Sequence, residues 1–147
     1  MAEWTGVAVQ TVNPGESIVF TENPVPCNLG LILHRDDSGA FLMKGISSQN
    51  YCPCRRNSVV NYMADFGANI AIPTGETVGP ISVALAVDGN TLAGTTMVVT
   101  PAAVEQFFNV SCAVNVPIWL GCCQTLSIRN TSEIPILVES ANLVLSK

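Results

Sequence analysis

The fold is decided by the stretch Phe108-Asn109-Val110-Ser111-Cys112-Ala113-Val114-Asn115-Val116. Phenylalanine, valine and cysteine occupy every second position, and asparagine, serine and alanine occupy the positions between them. Successive side chains of a strand point to opposite faces of its sheet, so one face of this stretch is predicted to be buried and the other exposed. The stretch is therefore predicted to be the best core β-strand of the chain.

The same alternation recurs before this stretch. In residues 58–68 one predicted face is apolar and holds Val60, Tyr62, Ala64 and Phe66. In residues 81–87 the apolar face holds Ile81, Val83, Leu85 and Val87. Asp88-Gly89-Asn90 then closes a hairpin, with residues 92–100 as the returning strand. Both segments are predicted to be strands with one buried face.

Shorter strands are predicted at 17–20, 30–34, 40–44, 124–129 and 136–145, between turns rich in glycine, proline and asparagine. Pro101 after Thr100 predicts one helical turn over 101–106. About nine or ten strands without helical periodicity indicate an all-β fold, namely a compact jelly-roll sandwich of about ten antiparallel strands. A lipocalin-type closed barrel is the alternative, but the long, proline-rich connections favour the sandwich.

The composition of the chain argues against binding to nucleic acid and insertion into a membrane, and it favours association with other subunits. The net charge is −5, and Arg55-Arg56 is the single adjacent pair among six basic residues, so the basic stripe that nucleic acid requires is missing. No apolar run approaches the roughly 18 residues of a membrane-spanning helix. Hydrophobic residues make up 48% and charged residues 12% of the chain. Such a surface favours association with other subunits.

The chain has six cysteines, at positions 27, 52, 54, 112, 122 and 123. The N-terminus lacks the basic and apolar regions of a secretory signal, so reduced thiols are expected. A disulfide that includes Cys27, Cys52 or Cys54 is the alternative for a mature extracellular particle. Cys112 falls on an apolar face and is predicted to be a small buried hydrophobe.

No catalytic, metal or cofactor site is predicted. The single histidine, His34, precedes Arg35 and two aspartates, but adjacent strand residues point to opposite faces and no nucleophile motif is present, so a strand-end or interface position is expected. Cys52-Pro53-Cys54 with Cys27 or His34 lacks the paired knuckles of a zinc site. Asp36-Asp37-Ser38-Gly39 lacks the acidic spacing of a calcium loop and is predicted to be a hairpin tip.

Two tripeptides match the N-glycosylation pattern, Asn109-Val110-Ser111 and Asn130-Thr131-Ser132. Glycosylation at such a pattern requires a secretory route. Because no secretory signal is found, no role is assigned to either tripeptide.

Motifs spread over nearly the whole chain carry a family resemblance. They are Val12-Asn13-Pro14-Gly15-Glu16-Ser17-Ile18-Val19-Phe20, Pro73-Thr74-Gly75, Val78-Gly79-Pro80-Ile81, Val98-Val99-Thr100-Pro101-Ala102-Ala103-Val104, Phe108-Asn109-Val110-Ser111, Gly121-Cys122-Cys123 and Arg129-Asn130-Thr131-Ser132. Through them the chain resembles the compact trimeric jelly rolls of the tumour-necrosis-factor and complement-head superfamily, and more closely a set of short domains in gut Firmicutes and their phages. Bacterial domains of this kind often end collagen-like filaments, but no Gly-X-Y repeat precedes the domain here.

The resemblance implies a homotrimer with aromatic and aliphatic side chains near its three-fold axis. The candidate interface residues are Tyr62, Phe66, Phe107 and Phe108. Residues 1–11 are expected to be an N-terminal docking segment, and residues 12–147 a single jelly-roll domain. The candidate docking residues are Glu3, Trp4, Val7 and Val9.

Two functions follow from these expectations. The first is a non-enzymatic structural virion protein, a trimeric capsid decoration or head-fibre module of a bacteriophage, assembled in the bacterial cytoplasm and bound to a capsid or fibre protein. The alternative is a trimeric binding module on a bacterial cell or spore surface, which recognises a host-surface glycan or protein through residues 35–39 or 49–56. An enzyme would need a cleft with convergent polar groups, and its turnover would be lost on His34→Ala.

Overall fold

The computed structural model describes residues 1–27, 30–45, 59–119 and 123–147. The strands in chain order are β1 (Ala2–Gly6), β2 (Gln10–Val12), β3 (Glu22–Val25), β4 (Ile32–His34), β5 (Phe41–Met43), β6 (Val59–Ala71), β7 (Ile81–Val87), β8 (Asn90–Thr91), β9 (Met97–Val99), β10 (Phe108–Trp119), β11 (Gln124–Asn130) and β12 (Ile136–Ser146). The all-β prediction is confirmed. Across the described ranges, no helix has the length and apolar character needed to cross a membrane.

The strands form two antiparallel sheets of six strands each. Sheet A has the order β10-β6-β12-β1-β3, with β2 beside β12, and sheet B has the order β4-β5-β11-β7-β8, with β9 beside β7. Strands that follow one another in the chain often lie in different sheets, and the inner faces enclose one apolar core. This is the predicted jelly-roll sandwich, and the closed barrel is ruled out.

The ladder between β6 and β10 is the longest in the molecule. It runs without a register shift over twelve residue pairs, from Phe108 opposite Ile70 to Trp119 opposite Val59. The apolar residues of both strands face sheet B, and the asparagines and serine face away from it. The alternation predicted from the sequence is confirmed, and β10 continues three residues beyond the quoted stretch.

One long side of the sandwich is closed by residues 17–20, which we call the crossing segment. At one end the Ile18 amide donates to the Ile128 carbonyl of sheet B at 2.8 Å. Just beyond the other end the Thr21 amide donates to the Thr5 carbonyl of sheet A at 3.0 Å. The segment was predicted to be an ordinary strand, but its backbone bonds are divided between the two sheets.

Two glycines and the side-chain amide of Gln10 hold the crossing segment close to both sheets. A Cβ atom on Gly39 would lie 2.5 Å from the Ile18 carbonyl oxygen, and one on Gly6 would lie 2.6 Å from the Val19 carbonyl oxygen. The Gln10 side chain donates to the Val19 carbonyl at 2.9 Å and accepts from the Val19 amide at 2.8 Å. A side-chain amide thus supplies the bonds that a neighbouring strand would supply elsewhere.

The opposite long side of the sandwich is open. Sheet B ends there in β8 and β9, of two and three residues, against the twelve residues of β10. Phe108, Cys112 and Val114 point toward sheet B but remain partly exposed, and Phe108 is 38% exposed. The short edge of sheet B therefore leaves part of the inner face of β10 uncovered.

Two local predictions around β8 and β9 are wrong. The returning strand at 92–100 is interrupted by a 3-10 helix, Ala93–Thr95, because the buried Thr95 hydroxyl donates to the Leu92 carbonyl and accepts from the Leu85 amide. Residues 101–106 form turns instead of a helical turn. Glu105 has a φ of 57°, and its amide donates to the Ile72 carbonyl at 2.7 Å.

Residues 1–11 belong to the jelly roll instead of forming a separate docking segment. β1 pairs with β12 from Ala2 opposite Leu145 onward, and β2 pairs with β12 further along. Trp4 is buried, with its ring centroid 4.9 Å from that of Phe41. Burial of the large Trp4 side chain contributes strongly to the stability of the domain, so β1 is part of it. The domain boundary predicted at residue 12 is therefore corrected to the start of β1.

Candidate functional site

Two of the four predicted interface residues, Tyr62 and Phe66, lie inside the sandwich. Both are fully buried within a single chain. The Tyr62 hydroxyl donates to the Lys44 carbonyl at 2.6 Å, and burial, with a smaller contribution from the charge of Cys27, raises the pKa of Tyr62. Side chains without exposed surface cannot contact another subunit, so the prediction is corrected for both residues.

The other two predicted interface residues lie at the open side. Phe107 is partly buried, and Phe108 begins β10 on the face that sheet B does not fully cover. Cys112 and Val114 follow on the same face with partial exposure. Phe107 and Phe108 thus remain available for contact with a neighbouring subunit.

The outer surface of β6 and β10 is nearly free of charge, and we call it the assembly face. Its outward residues are Asn61, Met63, Asp65, Gly67, Asn69, Asn109, Ser111, Ala113, Asn115 and Pro117. Asp65 is the one ionisable side chain among them, whereas solubility usually goes with a surface of which about a quarter to a third is charged. Met63 is 41% exposed, and Trp119 is exposed at the end of the ladder. This face was not predicted from the sequence, because its signal is the absence of charge and not the presence of aromatic side chains.

The four predicted docking residues divide into two pairs. Trp4 is a core residue, and the Glu3 carboxylate accepts a hydrogen bond from the Asn142 amide within sheet A. Val7 and Val9, in the turn between β1 and β2, are 58% and 56% exposed. The part of the segment that a partner can reach is therefore the turn that holds Val7 and Val9.

His34 ends β4, as predicted, and its ring is held in place by structural contacts. The ring stacks on Phe41 with a centroid distance of 4.4 Å, and Nε2 lies 2.9 Å from the Ser38 carbonyl oxygen, to which it donates. A carbonyl can only accept, so this bond places a hydrogen on Nε2. These contacts give His34 a role in joining β4 to the Arg35–Gly39 turn.

The cysteines differ from one another in oxidation state. Cys112 is a free thiol on the inner face of β10, and Cys123 is disulfide-bonded, so the expectation of reduced thiols is wrong for Cys123. Among the described histidines, cysteines and acidic residues, no three converge on a possible metal position. The remaining cysteines of the zinc and disulfide hypotheses, at positions 52, 54 and 122, lie outside the described residues.

The outer face of sheet B carries a groove of about 550 Å³. Leu33 and Leu42 form its apolar part, and Arg35, Ser38 and Thr125 border it. The groove adjoins residues 35–39, one of the two loops predicted for ligand recognition. The second predicted loop, 49–56, lies outside the described residues.

A second cavity, of about 570 Å³, lies where two loops meet at the beginning of β7, and we call it the hydroxyl cleft. Its polar residues are Thr77, Ser82, Thr131, Ser132 and Glu133. The hydroxyl cleft was not predicted from the sequence, because the residues that line it come from segments about fifty positions apart. Its one sequence signal was the run of hydroxyl residues after Asn130.

The two glycosylation patterns occupy different environments. Asn130 is buried, and its amide nitrogen donates to the Val12 and Ile134 carbonyls, both at 2.9 Å. A glycan cannot be attached to that nitrogen in the folded protein. Asn109 lies exposed on the assembly face.

No family model and no curated protein sequence matches the chain. Among solved structures, the globular domain of a zebrafish complement 1qA protein is similar at 9% identity with a TM-score of 0.57, over 97% of this chain and 94% of that chain. The C-terminal domain of EclA, a sugar-binding protein, matches at 12% identity and TM-score 0.42, over 96% and 79% of the two chains. Pika GITRL also matches at 12% identity and TM-score 0.42, over 98% and 96%. The zebrafish domain, which has the highest score of the three, shows that the predicted complement-head fold is right.

Proposed function

We propose that the protein is a non-enzymatic structural module that assembles as a homotrimer and serves as a capsid decoration or head-fibre module of a bacteriophage. The observation that carries this proposal is the assembly face. A sheet surface with one charged side chain and an exposed methionine is inexpensive to cover with another subunit, because few charges lose their water there. The number of subunits, three, rests on the resemblance to the complement-head superfamily.

The open side of the sandwich supports the same proposal. Phe108, Cys112 and Val114 keep part of their apolar surface exposed because β8 and β9 are short. Burial of apolar surface contributes roughly 25 cal/mol per Å². A neighbouring subunit that packs against this side would complete the cover that sheet B leaves unfinished. The assembly face and the open side share β10, so one contact region can include both.

Attachment to a capsid or fibre protein is assigned to the turn that holds Val7 and Val9. Two exposed valines in a short turn give a partner an apolar contact that is independent of the assembly face. The turn is also fixed to sheet A, because the Ser140 amide donates to the Val7 carbonyl at 3.2 Å. A pre-ordered contact loses less conformational entropy on binding than a flexible arm would.

Native mass measurement tests the assembly. The wild-type protein is expected at three times the 15.5 kDa mass of the chain. Met63→Glu adds a second negative charge to the assembly face, two residues from Asp65, and should give monomers, because like charges brought together at a subunit contact cost several kcal/mol.

The matched control is Leu33→Glu, which changes a similarly exposed apolar residue, 47% exposed, on the outer face of sheet B. It should remain trimeric. A wild-type monomer at micromolar concentration, or a Met63→Glu protein that stays trimeric, would overturn the proposal.

The second candidate is a trimeric binding module of a bacterial cell or spore surface. The groove on sheet B favours it, because an apolar floor bordered by Arg35 suits a ligand with an apolar and an acidic part. Genes beside the coding sequence distinguish the two locations. Capsid and portal genes would support the virion, and secretion or sporulation genes the cell surface.

A further inference from the structure

The hydroxyl cleft lies on the side of the molecule away from the assembly face. Ser82 alternates with the buried residues Ile81 and Val83 along β7, so its side chain points outward from sheet B. The assembly face is the outer surface of sheet A, the opposite layer of the sandwich. A ligand in the cleft therefore does not compete with contacts made through the assembly face.

The loop that carries half of the cleft is held rigidly. The Ser132 hydroxyl accepts from the Ser82 amide at 2.7 Å and donates to the Ser82 carbonyl at 3.2 Å. The Ser132 amide donates to the side-chain oxygen of the buried Asn130 at 2.8 Å, and the Thr131 amide donates to the Ser82 carbonyl at 3.0 Å. Because these bonds order the loop before any ligand arrives, binding there carries little ordering cost.

The cleft keeps unused hydrogen-bonding capacity. The Ser82 and Thr131 hydroxyl oxygens lie 2.7 Å apart and share one hydrogen. Each hydroxyl has one donor and two acceptor positions, so the pair still offers both donor and acceptor positions. In the described part of the chain, the Thr77 hydroxyl and the Glu133 carboxylate have no hydrogen-bond partner.

We infer that the hydroxyl cleft binds an uncharged saccharide. Hydroxyl groups that both donate and accept match the hydroxyls of a sugar ring, and the ionised carboxylate of Glu133 accepts stronger, charge-assisted bonds from them. Val78, Pro80 and Ile134 supply aliphatic contacts for the C–H surface of such a ring. No described residue that lines the cleft is basic, and Glu133 repels anions, so acidic ligands are disfavoured. A volume of about 570 Å³ is of the size that small ligands occupy.

Saturation-transfer NMR on the full chain tests this inference. The probes are the methyl glycosides of glucose, galactose, mannose and N-acetylglucosamine at millimolar concentration, with glucuronic acid as the charged comparison. At least one neutral glycoside is expected to receive saturation from the protein, and glucuronic acid is not.

Variants then locate the site. Glu133→Gln should weaken binding of the positive glycoside by about tenfold or more, because it replaces charge-assisted hydrogen bonds by neutral ones. Thr77→Val, which keeps the side-chain shape, should also weaken it. Glu76→Gln removes the same charge from the neighbouring turn, outside the cleft lining, and should leave the affinity unchanged.

Three results would overturn the inference. They are no saturation of any neutral glycoside, equal saturation of glucuronic acid, or an affinity that neither Glu133→Gln nor Thr77→Val changes. In the first case the hydroxyl network only fixes the loop. The native mass is measured separately, so failure of the saccharide inference and failure of the trimer proposal are distinguishable.

Discussion

Tyr62 is a polar residue in an apolar core, and its hydroxyl is hydrogen-bonded there. That bond, 2.6 Å to the Lys44 carbonyl, ties the first third of β6 to the residue that follows β5. Tyr62→Phe should lower the free energy of unfolding at pH 7 by about 1 kcal/mol, since one buried hydrogen bond is lost. Urea denaturation of the two proteins measures the difference.

The pH dependence of that difference has a definite sign. Because burial raises the pKa of Tyr62 above its ordinary value of 10.0, the unfolded chain releases this proton at a lower pH than the folded protein. The stability contributed by Tyr62 is complete below about pH 10 and is lost as pH rises through the folded pKa. The gap between wild type and Tyr62→Phe should narrow above pH 10, and a gap that widens would contradict the assignment.

Individual residues show why some predictions from the sequence were right and others wrong. Tyr62 was correctly predicted to lie on the apolar face of β6, but it was also predicted to lie at a subunit interface, which is wrong. One side chain cannot serve both purposes in a strand whose residues alternate between core and solvent. Glu3 and Trp4 were likewise predicted to contact a partner and instead make contacts within the domain. For Trp4, the sequence does not show whether the core or a partner covers a tryptophan near a chain end.

Among the elements, the crossing segment depends on the absence of a side chain at Gly39. Gly39→Ala would bring a Cβ to 2.5 Å from the Ile18 carbonyl oxygen and 2.6 Å from the Ser17 Cβ. Relieving such a contact requires a backbone shift, which typically costs about 1–3 kcal/mol. A domain of about 150 residues loses about 2–4 °C of melting temperature per kcal/mol, so we expect a fall of about 2–12 °C.

Gly94→Ala is the matched control for that substitution. A Cβ at Gly94 meets nothing within 4 Å. Its melting temperature should stay close to that of the wild type. Equal melting temperatures for both variants would mean that the crossing segment moves away from Gly39 freely.

Strands that pair regularly within one sheet were predicted well, and segments that depend on bonds to both sheets or on a buried hydroxyl were not. β6 and β10 follow simple alternation because each has one face on the core, whereas β7 also buries Ala84 and Ala86 on its other face. The crossing segment divides its bonds between two sheets, and the interruption before β9 arises from the hydrogen bonds of one buried hydroxyl at Thr95. Such non-local hydrogen bonds leave no periodic trace in a sequence.

At the scale of the whole molecule, assembly and stability should be linked. A protein that is more stable as an oligomer has a melting temperature that rises with its concentration. We expect such a rise for the wild type between about 1 and 100 μM, and none for Met63→Glu. Calorimetry at several concentrations measures it, and a wild-type melting temperature independent of concentration would contradict the proposed trimer.

Fold class was predictable from the sequence because alternation and turn spacing are repeated over the whole chain. The candidate sites were harder to predict. The assembly face depends on which residues between the apolar positions lack charge, and the hydroxyl cleft depends on Ser82 and Thr131 meeting across forty-nine positions. Both properties arise from strand pairing between sequence-distant segments.

The pairing of β1 with β12 also determines how the chain can be circularly permuted. Ala2 lies opposite Leu145, with Cα atoms about 5 Å apart, so residues 1 and 147 lie at the same end of sheet A. A linker of a few residues could join them, and new ends could be opened in an exposed turn such as Asp88-Gly89, which gives a circular permutant with the same sheets. Peptides fused to either end would leave the molecule at the same place, which makes this end of the sandwich a single point for displaying cargo.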